Sequence, residues 1–350
     1  MRLLHLPRYW RPNTGTVVAL PLFCALYILL SLLSPAARTS YAMDSFVVLA
    51  TPLAIAAAGT TVVLITGGFD LSVAGVISLA NVLAATQMVK HPGNVWLIAA
   101  LIVIAGIGIG VINGVLVAFV KLQSLGVTLA SYIILTGAAL VILPAPGALV
   151  PKNFVHSLTT NVGPFPVAIL VLAGLVLLWL IFTHTRTGIA AFALGADPLA
   201  TRMSGVRVRA VEVTCYAVGG GLYAIAGLYL SAVTASGDPN AGQPFLLTTF
   251  TAMALGLVSF RGGSGSVIAV IFGAGCLIVI SKVLFALGVA GSWTGTFTGT
   301  VVLVALALPL TVLAIRRCAE LWRRLASRFT PSAHTEVKAG ESSAPPRAAH

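Results

Sequence analysis

The sequence predicts an all-α, polytopic membrane protein with about ten transmembrane helices. Three observations carry that expectation. Apolar residues make up 58% of the chain and charged residues only 8%, where a soluble domain has about 25% charged. Mean hydropathy is +1.04, and apolar runs near the bilayer-spanning length of about 20 residues recur along the chain. The two-residue alternation of barrel strands is absent, which leaves helices as the spanning structure.

Ten spans are expected, at about 16–34, 46–66, 72–89, 95–120, 124–143, 164–183, 208–233, 245–259, 266–287 and 293–315. The first follows a basic start and precedes small residues at Pro35-Ala36-Ala37. Its length favours a permanent helix over a cleaved signal peptide. The eighth is short and is expected to be tilted or partly re-entrant. The domain organisation that follows is a cytoplasmic segment 1–15, a membrane domain 16–315 and a basic tail 316–350 whose end lacks the apolar content to fold. Its first part, RRCAELWRRLASRF from Arg316, reads as an interfacial helix that meets membrane lipid.

The net charge of +12 follows topology and gives no reason to expect nucleic acid. With the N-terminus inside, Arg2, Arg8, Arg11, Lys121, Arg186, Arg202, Arg207, Arg209, Arg261 and the seven basic residues from Arg316 onward fall inside. Only Arg38, Lys90 and Lys152 fall outside, and Lys282 sits near an outer span end. Sixteen against three places both termini in the cytoplasm by the positive-inside rule.

Two loops and two breaks carry the functional readings. Thr66-Gly67-Gly68-Phe69-Asp70-Leu71-Ser72 interrupts two apolar stretches. An aspartate in mid-bilayer costs about 2.5–3.5 kcal/mol, so Asp70 is expected either at a membrane face or on a polar path. One reading is a turn in which Asp70 or Ser72 caps the next helix by accepting from its first amides. The other makes Thr66, Gly67, Gly68, Asp70 and Ser72 part of the translocation path. The inner connection 184–207 is too interrupted to span and too apolar for a simple loop. It predicts short amphipathic helices, with Asp197-Pro198 as a helix start and Gly205 as a stop. Leu199, Arg202 and Met203 fall at i, i+3 and i+4. The segment reads either as a connector at the headgroups or as a docking element. The outer connection 144–163, rich in proline, is expected to be extended or partly helical.

Gly106, Gly110 and Gly114 form two successive G-x-x-x-G steps, and Gly295 with Gly299 forms another. Such ridges allow close helix approach within one chain or between chains; packing within the chain is the preferred reading. Cys24, Cys215, Cys276 and Cys318 have no metal-ligand spacing. The turn Ser259-Phe260-Arg261-Gly262-Gly263-Ser264-Gly265-Ser266 lacks the phosphate-binding G-x-x-x-x-G-K-[ST] pattern, and no catalytic constellation is present. No paired carboxylates lie inside the spans, which argues against ion coupling, although carbonyls at broken helices can bind sodium.

ITGGFDLSVAGVISLA (65–80) and ALGADPLATRMSGVRV (193–208) resemble motifs of the ribose-type bacterial ABC-importer permeases, a family that also includes branched-chain amino acid permeases. ALGLVSFRGGSGSVIAVIFGAG (254–275) is similar to that family's glycine-rich turn. The resemblance implies an inner-membrane permease subunit with inverted halves that imports a small sugar-like solute. It implies no cofactor on this chain, ATP and Mg on separate cytoplasmic ATPase subunits, a periplasmic solute-binding protein, and a second permease copy or a homologous permease. It assigns ATPase coupling to Gly195, Ala196, Asp197, Pro198, Ala200, Arg202, Met203 and Gly205. Alternatives are a permease for branched-chain amino acids or nucleosides, an ion-coupled carrier, and a membrane scaffold. The chain departs from the family at Leu122–Gly126, where a proline is usual, and at Phe245–Ala252, where an acid is usual. The inverted halves would make 236–242 the outer mirror of the break 67–72.

Overall fold

A computed structural model describes residues 14–289 and several positions between 293 and 300. The chain divides into two units, Met1–Val302 and Leu303–His350; the fold below belongs to the first. The basic tail and most of the tenth expected span lie outside the described residues.

Among the residues described up to 289, twelve α-helices follow in order: α1 Thr14–Leu33, α2 Ser40–Leu64, α3 Val73–Lys90, α4 Val95–Ala118, α5 Ser124–Ile142, α6 Lys152–Thr159, α7 Val167–His184, α8 Arg186–Ala196, α9 Pro198–Met203, α10 Val208–Thr234, α11 Phe245–Leu255 and α12 Val267–Ala286. Eight of them (α1–α5, α7, α10 and α12) are long and apolar enough to cross a membrane. The sheet content among the described residues is two antiparallel pairs of two-residue strands. Ala148 pairs with Gly237 and Leu149 with Ser236; Asn161 pairs with Pro166 and Val162 with Phe165. The chain is an all-α, multi-pass membrane protein.

The core lies between α2, α3, α4 and α10. From Ala50 to Leu64, α2 is buried throughout. Its threonines survive there because their hydroxyls bond back along the helix: Thr60 Oγ1 donates to the Ala56 carbonyl at 3.1 Å and Thr61 Oγ1 to the Ala57 carbonyl at 2.7 Å, which leaves no polar group unpaired in an apolar setting. By contrast α4, α5 and α7 expose large apolar residues such as Ile104, Ile134 and Leu178, the surface that lipid covers. The N-terminal helix packs on the bundle through Phe23, whose ring lies 5.7 Å from Phe46 and 5.8 Å from Phe272.

The glycine ridge of α4 packs within the chain. A methyl group on Gly106 would meet the Gly220 carbonyl, one on Gly110 the Tyr216 carbonyl, and one on Gly114 the Val213 backbone. Gly220 in turn faces the Gly106 carbonyl. The α4 and α10 backbones are therefore in direct contact, the close approach that small residues permit.

Two expectations change. The eighth span is an eleven-residue helix, Phe245–Leu255, about 16 Å long at 1.5 Å per residue. It starts only after the chain has already entered the bundle. Gly237 packs on Ala85, the Asp238 amide reaches Asn81, and Gly242 packs on Ala74, a descent along α3 on the order of 15 Å. The second span begins earlier than expected, at Ser40, because Thr39 caps it: Thr39 Oγ1 accepts from the Ala42 amide at 3.2 Å.

Candidate translocation and coupling site

Three segments separated in sequence meet at one end of the bundle: the break after α2, the α8–α9 connection and the turn 259–266. The Gly263 amide donates to the Ile65 carbonyl at 2.8 Å. A methyl group at Gly195 would overlap both the Ile65 oxygen and the Gly263 nitrogen, and one at Gly262 would press on Gly67. Gly67, Gly262 and Gly263 have φ of +88°, +86° and +74°, the left-handed region in which glycine alone is unstrained. The junction is thus backbone against backbone, with no side chain to cushion it.

The α8–α9 connection forms the two short helices its sequence predicts. Thr185 Oγ1 accepts from the Gly188 amide at 3.0 Å and caps α8. Asp197 caps α9: its Oδ1 accepts from the Leu199 and Ala200 amides, each at 3.0 Å, and Pro198 occupies the first turn. Gly205, at φ +81°, ends the unit. Thr201 is buried, while Leu199 and Met203 are 69% and 82% exposed and form an apolar ridge four residues apart. Gly195 is the backbone contact at the junction, and a methyl at Gly263 would overlap Ala196. Ala200 supplies one of the capped amides. Arg202 stands apart from the ridge. It lines a cavity with Glu212, whose carboxylate feels its charge.

The break does not cap α3 in the expected way. Neither Asp70 nor Ser72 accepts from the first amides of α3; Ser72 is the N-cap residue and makes no side-chain cap bond. Asp70 instead acts one step earlier. Its Oδ1 accepts from the Ser72 amide at 2.9 Å and from Ser72 Oγ at 2.6 Å. Asp70 is fully buried, so its carboxylate is not on an open surface. The network continues into α4 and α5: Asn113 Nδ2 donates to Ser72 Oγ at 3.1 Å, and Ser131 Oγ donates to Asn113 Oδ1. Phe69 is held at both backbone groups, its amide by Ser124 Oγ at 3.3 Å and its carbonyl by Tyr216 Oη at 3.1 Å. Asp70 Oδ2 and Tyr223 Oη are buried without a hydrogen-bond partner. Thr66 Oγ1 donates to the Val63 carbonyl at 2.7 Å, and Gly68 packs on the Tyr216 hydroxyl.

A second break enters from the opposite end with the same local device. Asp238 Oδ1 accepts from the Asn240 amide at 2.8 Å, two residues on, as Asp70 does with Ser72. Asn81 clasps this segment: its Oδ1 accepts from the Asp238 amide at 2.6 Å, and its Nδ2 donates to Ser231 Oγ at 2.9 Å and to the Ser236 carbonyl at 3.2 Å. Ser78 Oγ accepts from the Gly242 amide at 3.0 Å. Both breaks are therefore anchored on or beside α3. Rings from the first break, α11 and the turn form a row: Phe69 lies 6.3 Å from Phe250, and Phe250 lies 6.3 Å from Phe260.

Sequence reasoning missed Asn81, Asn113, Tyr216 and Tyr223. The signal was there for the two asparagines, each a polar residue inside an otherwise apolar span. Among the described residues no group of three or more His, Cys, Asp or Glu could hold a metal.

Residues 42–306 match the profile of a family described as branched-chain amino acid transport system / permease component. The chain belongs to this family. It is 30% identical to the ribose import permease protein RbsC of Escherichia coli strain K12 over 86% of its own length and 94% of the relative's. It is 29% identical to the galactose/methyl galactoside import permease protein MglC of Haemophilus influenzae over 73% of this chain and 82% of the relative. It is 30% identical to the fructose import permease protein FrcC of Rhizobium meliloti over 73% of each. No solved structure matches.

Proposed function

We propose that this permease is the membrane subunit of an ATP-driven importer for a small sugar-like solute in the bacterial inner membrane. The relatives named for ribose, galactose and fructose import support the solute class. The charge asymmetry supports the orientation: Lys121, Arg186, Arg202, Arg207, Arg209 and Arg261 fall in the connections and short helices at the junction end or in the first turn of α10, which makes that end cytoplasmic.

The observation that carries the coupling proposal is the fixed junction of the end of α8, immediately before α9, with the break and the 259–266 turn. A capped helix of two turns presents Leu199 and Met203 outward. Its neighbour Gly195 abuts Ile65 and Gly263. A force applied to α9 by a docked ATPase passes through this contact to Gly67–Ser72 and so to α3. Gly195, Ala196, Asp197, Pro198, Ala200, Met203 and Gly205 shape the handle; Thr66, Gly67, Gly68, Asp70 and Ser72 are the moving joint beside the path. ATP and Mg belong to the ATPase subunits, and hydrolysis takes place there. A periplasmic binding protein delivers solute to the opposite face, and a second permease copy or a homologue completes the path.

A mild-detergent pull-down that identifies the co-purifying ATPase and receptor, followed by uptake assays in proteoliposomes, tests this. Uptake must require ATP and survive an uncoupler. Uptake that collapses with the uncoupler while ATP is clamped indicates a gradient-driven carrier and ends the proposal. The family's description in terms of branched-chain amino acids favours one second reading, an amino acid cargo. Growth of a deletion strain on single carbon and nitrogen sources separates the two.

A further inference from the structure

At the junction end, the α4–α5 connection and the start of α10 enclose a cavity of about 780 Å³. Lys121, Arg202, Arg207 and Arg209 line it, and Glu212 is the one carboxylate that faces them. Four cations against one acid leave an excess of positive charge around a space large enough for a headgroup.

Two further features specify the site. Lys121 is a non-glycine residue at φ +62°, a backbone conformation that costs roughly 1–2 kcal/mol and brings the chain from α4 round to the cavity. The Arg209 guanidinium lies 5.5 Å over the Phe119 ring, a cation–π contact that fixes the arginine at the cavity edge. Phe119 is itself 52% exposed and leads into an apolar strip on α4 that includes Ile112 and Val115. A cationic cavity that opens directly onto a lipid-covered strip has the two halves of a phospholipid site: charge for a phosphate, and apolar surface for the acyl chain.

We propose that this cavity binds the headgroup of an anionic phospholipid, with Arg207, Arg209 and Lys121 on the phosphate and the acyl chain along α4. The chemistry is that of any phosphate-bearing anion; the continuous apolar strip selects the lipid. The site does not depend on the ATPase-docking proposal, since Leu199 and Met203 lie outside the cavity lining.

The full chain is purified in neutral detergent and titrated with phosphatidylglycerol, phosphatidylcholine or inorganic phosphate. Retained lipid is counted by native mass spectrometry, and thermal stability is read in parallel. Phosphatidylglycerol is expected to be retained and to raise the melting temperature, phosphatidylcholine and phosphate much less. The double variant Arg207→Gln/Arg209→Gln is expected to bind phosphatidylglycerol about 30-fold more weakly, about fivefold for each cation lost. Should that variant lose its fold, Glu212→Gln provides the opposite test and is expected to bind more tightly. Equal protection by phosphate makes the cavity a soluble-anion site and overturns the proposal. So do unchanged retention in both variants and displacement of phosphatidylglycerol when the co-purifying ATPase is restored.

Discussion

Replacing Asp70 with alanine removes the acceptor that holds the break in place. Two hydrogen bonds to Oδ1 are lost, from the Ser72 amide and from Ser72 Oγ, and both donors are enclosed. Ser72 Oγ also accepts from Asn113, which is tied to Ser131, so the loss reaches α4 and α5. Hydrogen bonds to charged groups contribute about 1.5–3 kcal/mol each, and bonds within membrane proteins average lower, about 0.6 with a maximum near 1.7. Alanine also removes the unpartnered Oδ2, which offsets part of the loss. A net destabilisation of about 2–3 kcal/mol follows, a change of roughly 30- to 150-fold in the folded-to-unfolded ratio. Asparagine behaves differently: it keeps the Oδ1 acceptor and offers an amide donor toward Tyr223 Oη, which lacks a partner. Asp70→Asn is therefore expected to stay within about 1 kcal/mol of the parent. Fluorescence-detected size-exclusion after a heat ramp ranks the variants, and uptake is then normalised to folded protein. Equal loss of stability in Asp70→Asn and Asp70→Ala refutes the acceptor argument.

Asp197→Ala removes both amide contacts of the α9 cap and is expected to cost about 1 kcal/mol of local helix stability; solute-stimulated ATP hydrolysis in the reconstituted complex should fall while Asp197→Asn retains it. Asp197→Lys and Gly205→Trp should weaken ATPase stimulation with insertion intact, and normal stimulation in both would remove α9 from the coupling role. Gly195→Val drives a branched side chain into Ile65 and Gly263 and is expected to lower uptake more than Gly205→Asn, which enters open space in a conformation asparagine tolerates. Gly220→Leu forces apart α4 and α10 and should cost more than 2 kcal/mol, at the upper end of overpacking penalties of about 1–3 kcal/mol, seen as a loss of monodisperse protein.

Much of the architecture was legible because lipid demands long apolar runs, and these were plain in α2, α3, α4, α5, α7, α10 and α12. The glycine spacing in α4 also announced its packing, since nothing but a close backbone neighbour explains three glycines on one face. The shortness of α11 was legible, but the depth at which it starts was not. Residues 245–259 are apolar whether the helix begins at the membrane surface or deep within it, and only the clasp of Asn81 and Ser78 on 238–242 reveals the depth. Asp70 illustrates the same limit. Its network reaches Asn113 only through Ser72, 41 positions away, and the neighbouring Phe69 carbonyl is held by Tyr216, 147 positions away; local pattern contains no record of such pairings. Arg202 fitted the periodicity of α9, and the structure adds that it lines a cavity shared with Glu212, a neighbour ten positions along the chain that the periodicity does not name. Periodicity specifies an angular position on a helix but not which neighbour occupies that side.

The direct seam between Gly106 and Gly220 has a mechanical consequence. Where side chains separate two helices, rotamer changes let them slide; where carbonyl meets α-carbon, a shift of even a fraction of an ångström in the wrong direction is repulsive. Helices α4 and α10 must therefore travel as one chassis during any transport cycle. Movement that opens one side and closes the other has to be absorbed elsewhere, at the places where regular winding is already interrupted.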